Sequence, residues 1–396
     1  MNKTEPFSFF VPTRIEYGAG KVSQLIDEVK GLNAKRPLIV TDKGLVKAGA
    51  LKGIEEQLKE NNIEFTVFSD VESNPRDTNV EKAADLAREH KADLMIGVGG
   101  GSPMDTAKCA GMLITNGGRI EDWYGYYKIK KQGLPLITIP TTAGTGSEVS
   151  IWAVITNTKK EKHVKEVLGS QLMCPTVALV DPLLTVGLPP HLTAYTGMDA
   201  LSHAIEGYFS LVAEPIADAI ALSAIELITN NLAPAVLNGN NLEARDNMML
   251  GSLMAGIVLG VTDCGAIHCL GHAIGGLYDV HHGLAMAIFF PYVMEYNLGA
   301  CPERFVNIAK AMGENVNGLP IMEAAEKSID GIIKLLRILR IPTLKDVGVK
   351  EQDFKELAKL TLADETSLAN PRKMTLEDMM EIFRDAYKDK FKTAVR

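Results

Sequence analysis

The chain contains eight histidines in 396 residues, and four of them, His268, His272, His281 and His282, fall within one 15-residue stretch. An even spread would place roughly 0.3 there. Neutral imidazole is a favoured ligand of divalent transition metals, so such a cluster points first to metal binding. A carboxylate partner lies upstream. Asp199 and His203 are four apart in the helical stretch Gly197 to Tyr208, GMDALSHAIEGY. That spacing sets both side chains on one helix face, one turn apart, within reach of one cation. His268 and His272 share the spacing, and His282 follows in the loop-like His281-His282-Gly283. One carboxylate with several imidazoles suits Fe2+ or Zn2+, whereas Ca2+ or Mg2+ would call for more oxygens. An isolated Asp/His pair at this spacing is also an ordinary helix-surface contact. Spacing alone leaves open which clustered histidines bind metal, and if anything favours His268 with His272.

A second group of residues has the chemistry of an anion site. Gly99-Gly100-Gly101-Ser102 follows the apolar run Leu94 to Val98 and opens a helix at Pro103. Glycines let the backbone approach a phosphate closely, and exposed amides at a helix start point at it. By itself the triplet is equally a tight strand-to-helix turn. Pro140 to Glu148, PTTAGTGSE, is a second loop after a strand, rich in hydroxyls and glycines. Two such loops at strand ends make a nucleotide crevice. Neither fits G-x-G-x-x-G. Asp42 ends the strand Pro37 to Thr41, where an acid either accepts from an adenosine ribose hydroxyl or caps the helix that starts at Lys43.

These residues need a scaffold, and the hydrophobic pattern supplies one. Pro37 to Thr41, Phe65 to Phe68, Leu94 to Val98, Leu136 to Ile139 and Val177 to Val180 read as short buried strands, with helical stretches such as Asn79 to His90 between them. Alternation of this kind predicts a mostly parallel sheet covered on both faces. After Asp181-Pro182 the apolar residues recur at three- and four-residue spacing. Glu214 to Leu232, Leu242 to Gly260, Pro320 to Leu339 and Thr375 to Lys388 read as core-facing helices. The expected organisation is an α/β dinucleotide-binding domain over 1–184 and an all-helical metal-binding and catalytic domain over 185–396. Lys159 to Lys165, KKEKHVK, reads as a solvated loop or hairpin inside the first.

Composition narrows the function classes. Apolar residues make up 46% and charged residues 23%, so a large core is within reach. Lys and Arg number 41 against 49 Asp and Glu, a net charge of −8, which disfavours nucleic acid or an anionic membrane as partner. Five cysteines without paired spacing predict reduced thiols and a cytoplasmic setting. No apolar leader or uninterrupted membrane-length apolar run is evident.

The motifs together resemble the iron-containing (group III) alcohol dehydrogenase family over nearly the whole chain. The matching stretches are Ile39 to Asp42, Gly99 to Lys108 (GGGSPMDTAK), Pro140 to Glu148, Thr196 to His203 (TGMDALSH), the histidine segment 268–283 and Asn370-Pro371-Arg372. The resemblance implies a dehydroquinate-synthase-like fold with its active site in the cleft between two domains. It implies metal ligation by Asp199, His203, His268 and His282, with His272 beside the metal handling a proton or positioning substrate. It implies that Gly99, Gly100, Gly101 and Ser102 hold a pyrophosphate and that Asp105, Thr141 and Thr142 line the same cofactor. Lys165 matches a cofactor-side lysine once two extra residues are allowed before it, and Asp42 matches the position where an acid goes with NAD. The implied activity is NAD- and divalent-metal-dependent hydride transfer between a short-chain primary alcohol or diol and its aldehyde, with Fe2+ or else Zn2+, in a homodimer or larger homo-oligomer.

The chain departs from the family pattern in places. Ala255 to Val261 carries Leu259 and Val261 where an aromatic and an amide are common. Asp263 replaces a small residue, and its charge is placed to steer substrates. Cys269 adjoins a ligand, His281 replaces a proline and reads as an outward loop residue, and Cys264 and Cys269 read as small core residues. Competing readings are a lyase or cyclase of the dehydroquinate synthase type and a non-catalytic nucleotide-binding protein. The first would need basic residues around the metal, and Ser252 to Pro291 contains neither Lys nor Arg.

Overall fold

The computed structural model describes residues 6–160 and 163–394. Among them the chain forms nine strands: β1 (Arg14–Tyr17), β2 (Pro37–Val40), β3 (Thr66–Phe68), β4 (Leu94–Gly99), β5 (Gly125–Tyr126), β6 (Leu136–Pro140), β7 (Trp152–Asn157), β8 (Val164–Gly169) and β9 (Val177–Val180). The helices α1 (Leu25–Gly31), α2 (Lys43–Ala48), α3 (Lys52–Glu60), α4 (Asp77–His90) and α5 (Gly101–Asn116) lie among these strands. Only helices and turns follow β9: α6 (Pro190–Phe209), α7 (Pro215–Leu237), α8 (Leu242–Thr262), α9 (Ala266–Tyr278), α10 (His282–Leu298), α11 (Pro302–Ala311), α12 (Ile321–Leu339), α13 (Phe354–Ala363) and α14 (Leu376–Tyr387). The chain divides into two compact units, one of Val11–Leu188 and one of Pro189–Arg396 with the residues up to Phe10.

The first unit is built on a six-stranded sheet in the order β1-β9-β6-β4-β2-β3, parallel throughout. Every residue of β2, β4, β6 and β9 is buried, as a sheet covered on both faces requires. The period of two divides their side chains between two cores. Leu38 and Val40 join Met95 and helices α4 and α5 on one face, while Ile39 joins Leu94, Ile96 and helices α1 and α3 on the other. The chain runs outward from β2 to β3 and then returns to place β4 on the opposite side of β2. That reversal, at the carboxyl ends of β2 and β4, is where open α/β sheets bind ligands.

Four strands were not legible in the hydrophobic pattern: β1, whose residues are only partly buried, and the three of a small second sheet, β5-β8-β7. In that sheet β7 and β8 pair antiparallel, Thr156 opposite Lys165, so the charged stretch 159–165 does link a hairpin. Glu161 and Lys162 lie outside the described residues.

In the second unit, α6, α7 and α8 pack on one another, and α9 and α10 form the next layer. Helix α7 is long and apolar enough, by length and composition, to cross a membrane, although Asp218 and Glu226 interrupt its apolar run. In the structure its Ala217, Ala221, Ala224, Ile225, Ile228 and Leu232 are buried. The His281-His282-Gly283 segment, expected as a loop, starts a helix instead: His281 is the N-cap and His282 the first residue of α10. The glycine serves packing rather than a turn. A Cβ on Gly283 would lie 2.2 Å from the carbonyl oxygen of Tyr195 on α6, so only glycine lets α10 start this close to α6.

Candidate functional site: a metal centre and a dinucleotide loop

Three helices bring the candidate metal-ligating side chains together. Asp199 and His203 occupy successive turns of α6, His268 and His272 successive turns of α9, and His282 the amino terminus of α10. Asp199 Oδ1 is 3.5 Å from His282 Nε2 and 3.9 Å from His268 Nε2. Donors bonded to one cation at about 2.0–2.2 Å stand roughly 3–4 Å apart, so these separations fit the edges of a coordination polyhedron. The His203 ring stacks on His268 with centroids 4.7 Å apart. Asp199, His203 and His268 are 2%, 4% and 3% exposed. A carboxylate buried that deeply among imidazoles, with no Lys or Arg in Ser252 to Pro291, suits a cation as counter-charge.

Two carboxylates that the sequence reading did not assign hold the imidazoles. His268 Nδ1 faces Glu206 Oε2 at 2.5 Å, and Glu206 Oε1 accepts from the Ile267 backbone N–H at 2.7 Å. This arrangement directs Nε2 of His268 towards Asp199, as an outer-shell carboxylate does for a metal-bound histidine. Burial pushes the Glu206 carboxyl up to about 8, against the backbone N–H groups of Ile267, Gly265 and His268. Glu206 lies seven residues after Asp199, two turns further along the same face of α6, and that spacing could have identified it.

His272 donates from Nδ1 to Asp364 Oδ2 at 2.7 Å, while its Nε2 is buried without a hydrogen-bond partner among the described residues. Burial would raise the Asp364 carboxyl, but His272 and the hydroxyl and amide of Thr366 outweigh it and hold the group at about 2. The His272 ring stacks on His282 at 5.4 Å. Asp364 comes from a segment 92 residues away, so no local spacing could have announced it. His281 packs against Tyr195 of α6 rather than turning outward. Cys264 and Cys269 are buried, as expected, and burial raises both thiols well above their ordinary range.

The α8–α9 connection is strained. Asp263 caps α8 with φ 58° and ψ 176°, a conformation close to glycine-only territory. Its Oδ1 accepts from the Cys264 backbone N–H at 2.7 Å. Asp263→Gly therefore raises stability by about 1 kcal/mol, read as a higher urea midpoint. An unchanged or lower midpoint contradicts a strained cap. The same variant, assayed across an alcohol panel, tests whether the Asp263 charge steers substrates.

In the first unit, β2, β4 and β6 are neighbours and their carboxyl ends carry the second group of residues. Gly99 has φ +144°, and a Cβ there would lie 2.8 Å from Pro103 Cγ. Helix α5 then starts at Gly101 with Gly100 as N-cap, no side-chain cap and no acid in its first turn, leaving its first amides for an anion. Thr141 donates its backbone N–H to the Gly99 carbonyl at 2.9 Å. Thr142 Oγ1, lying against Gly100, is buried without a hydrogen-bond partner among the described residues. Ser102 sits in the first turn of α5. Asp105 accepts from Ser147 Oγ at 2.6 Å and the Val154 N–H at 2.9 Å, so it ties the second loop and β7 to α5. Lys108 is fully enclosed and donates to the carbonyls of Ser150 and Trp152. Lys165, on β8, lies close enough for its charge to offset part of the burial-driven rise at Asp105. Asp42 caps α2 by accepting the Leu45 N–H at 2.9 Å through Oδ1.

This geometry has counterparts among known proteins. The chain matches the family profile of iron-containing alcohol dehydrogenase over residues 12–182 and that of the Fe-containing alcohol dehydrogenase family, C-terminal, over 193–387. The chain belongs to the iron-containing alcohol dehydrogenase family. As a member it is an oxidoreductase acting on small-molecule alcohols, with the α/β and helical parts of that family's fold. It is 44% identical to the 1,3-propanediol dehydrogenase of Citrobacter freundii, over 96% of this chain and 99% of that protein. It is 39% identical to the NAD-dependent methanol dehydrogenase of Bacillus methanolicus, again over 96% and 99%. The structure of an alcohol dehydrogenase from Oenococcus oeni superposes with a TM-score of 0.93 at 42% identity, covering 96% of this chain and all of that one.

Proposed function

We propose that this iron-containing alcohol dehydrogenase interconverts short-chain primary alcohols or diols and their aldehydes, using NAD and one divalent cation held by Asp199, His203, His268 and His282. The observation that carries the proposal is the approach of His268 Nε2 and His282 Nε2 to one oxygen of buried Asp199. Fe2+ is the cation the family name indicates, and Zn2+ suits the same donors. The substrate class rests on the relatives, which are named for 1,3-propanediol and methanol.

A cation bound there supplies Lewis acidity, which lowers the pKa of an alcohol hydroxyl and polarises a carbonyl, and NAD supplies the hydride acceptor. The protein's part is to place charge and move the proton. Asp199 contributes the single carboxylate, so the centre keeps a net positive charge towards substrate. Glu206 holds His268 in one orientation. Asp364 fixes the tautomer of His272, whose Nε2 is left to take the proton that the hydroxyl loses and pass it towards solvent. Gly99, Gly100, Gly101 and Ser102 hold the pyrophosphate of NAD at the start of α5. Thr141 and Thr142 line it, and Asp105 and Lys165 support the adjoining loop and strand.

Asp42 selects NAD: one carboxylate oxygen caps α2 while the group remains an acceptor for a ribose hydroxyl and repels a 2′-phosphate. Asp42→Gly shifts the ratio of kcat/KM for NADP over NAD upwards by at least about tenfold, equivalent to about 1.4 kcal/mol. An unchanged ratio removes Asp42 from cofactor choice. The five unpaired cysteines support a reducing, cytoplasmic setting, and exposed Leu211, Val212 and Ile216 support assembly into a homodimer or larger oligomer. The whole proposal is tested by anaerobic reconstitution with Fe2+ or Zn2+ and assay of NADH formation across primary alcohols and diols.

A further inference from the structure

We propose that Cys264 gives this metal centre a second, sulfur-containing binding mode in which a thiophilic cation is held by His203, Cys264 and His268. The inference rests on the metal-centre reading above and extends it to a residue that reading leaves unused.

Two sets of donor atoms overlap in the centre. Asp199, His268 and His282 each present one donor within 4.8 Å of the others, and so do His203, Cys264 and His268. His268 belongs to both. All three members of the second set are buried, Cys264 at 4% exposure. Bonds of about 2.3 Å to sulfur and 2.0–2.1 Å to nitrogen set tetrahedral donors roughly 3.5 Å apart, so closing the second set requires shifts of no more than about 1.3 Å. The backbone next to Cys264 is fixed by the Asp263 side chain, whose Oδ1 accepts the Cys264 N–H at 2.7 Å. The other nearby thiol, Cys269, is engaged elsewhere, 3.1 Å from Thr366 Oγ1.

The two sets differ in chemical preference. A carboxylate with three imidazoles suits Fe2+, whereas a thiolate with two imidazoles favours Zn2+, Cd2+ or Co2+. On binding in the second mode, Cys264 releases its thiol proton to solvent as the sulfur–metal bond forms, with no change of oxidation state. His203 and His268 serve both modes, and His268 is anchored through Glu206. The position of the cation then depends on its identity, which gives the enzyme a built-in discrimination between iron and thiophilic competitors.

The test uses the full-length, metal-free protein titrated anaerobically with Co2+ and followed by absorption spectroscopy. The expected result is a near-ultraviolet thiolate-to-cobalt charge-transfer band in the native protein that Cys264→Ser and Cys264→Ala abolish and Cys269→Ser retains. Cd2+ affinity, measured by calorimetry, falls at least about tenfold in Cys264→Ala, the loss seen even for outer-shell partners of a metal. The native spectrum decides the matter without any variant. Stoichiometric Co2+ binding without the band overturns the inference and leaves the metal centre standing. A band lost with Cys269→Ser instead also overturns it. Failure to bind Co2+, Zn2+ or Fe2+ at all overturns both the inference and the metal-centre reading.

Discussion

Asp199→Ala leaves a protein that folds but retains little metal and loses about a thousandfold in kcat/KM with a short primary alcohol. The magnitude follows from what the cation is worth. Charge stabilisation by a bound metal amounts to several kcal/mol, and about 4 kcal/mol corresponds to three decades in rate. Asp199 is the only carboxylate within the two donor sets. Its removal leaves the cation imidazole donors without an anionic ligand, so affinity falls together with rate. Metal content by plasma emission spectroscopy and kcat/KM are measured on the same sample. Full metal occupancy with unchanged turnover in Asp199→Ala would remove this residue from the centre. Asp199 lies inside α6, where Ala has the highest helix propensity, so the variant keeps its fold.

His272→Ala has a different signature. Turnover falls about 10²–10⁴-fold, the range for a general acid–base group, while metal content stays near that of the native enzyme. The difference arises from how the ring is held. His272 Nδ1 is committed to Asp364, and its buried Nε2 has no partner among the described residues, which equips it to carry a proton. Asp364→Asn weakens this hold without removing the imidazole, and its kcat lies between the two. Loss of metal from His272→Ala would make His272 a ligand and redraw the centre. Equal kcat in the native and variant enzymes would leave the proton to solvent alone.

Legibility in the sequence followed the range of the interaction. Strands β2, β4, β6 and β9 announced themselves because burial on both faces forces continuous apolar runs bounded by Gly and Pro. Strand β1, partly exposed, and the small β5-β8-β7 sheet carry no such constraint and were invisible. In the helical unit, three- and four-residue spacing found α7, α8, α12 and α14 to within a few residues. The i, i+4 pairs on α6 and α9 were readable because the helix period alone creates them. Bringing those pairs onto one another, and adding Asp364 to His272 across 92 residues, depends on tertiary packing that no local pattern encodes. Gly283 shows how a correct local signal can mislead: glycine beside two histidines suggested a loop, whereas the glycine is there so that α10 can abut the Tyr195 carbonyl. The same contact places His282 3.5 Å from Asp199.

In the proposed function, hydride transfer to NAD depends on one cation in this centre. The most direct measurement is NADH formation with a short primary alcohol by anaerobically prepared enzyme, stripped with a chelator and then titrated with Fe2+. Activity is expected to be negligible after stripping and to return linearly, saturating at one cation per chain. Full activity in protein shown to be metal-free would contradict that dependence.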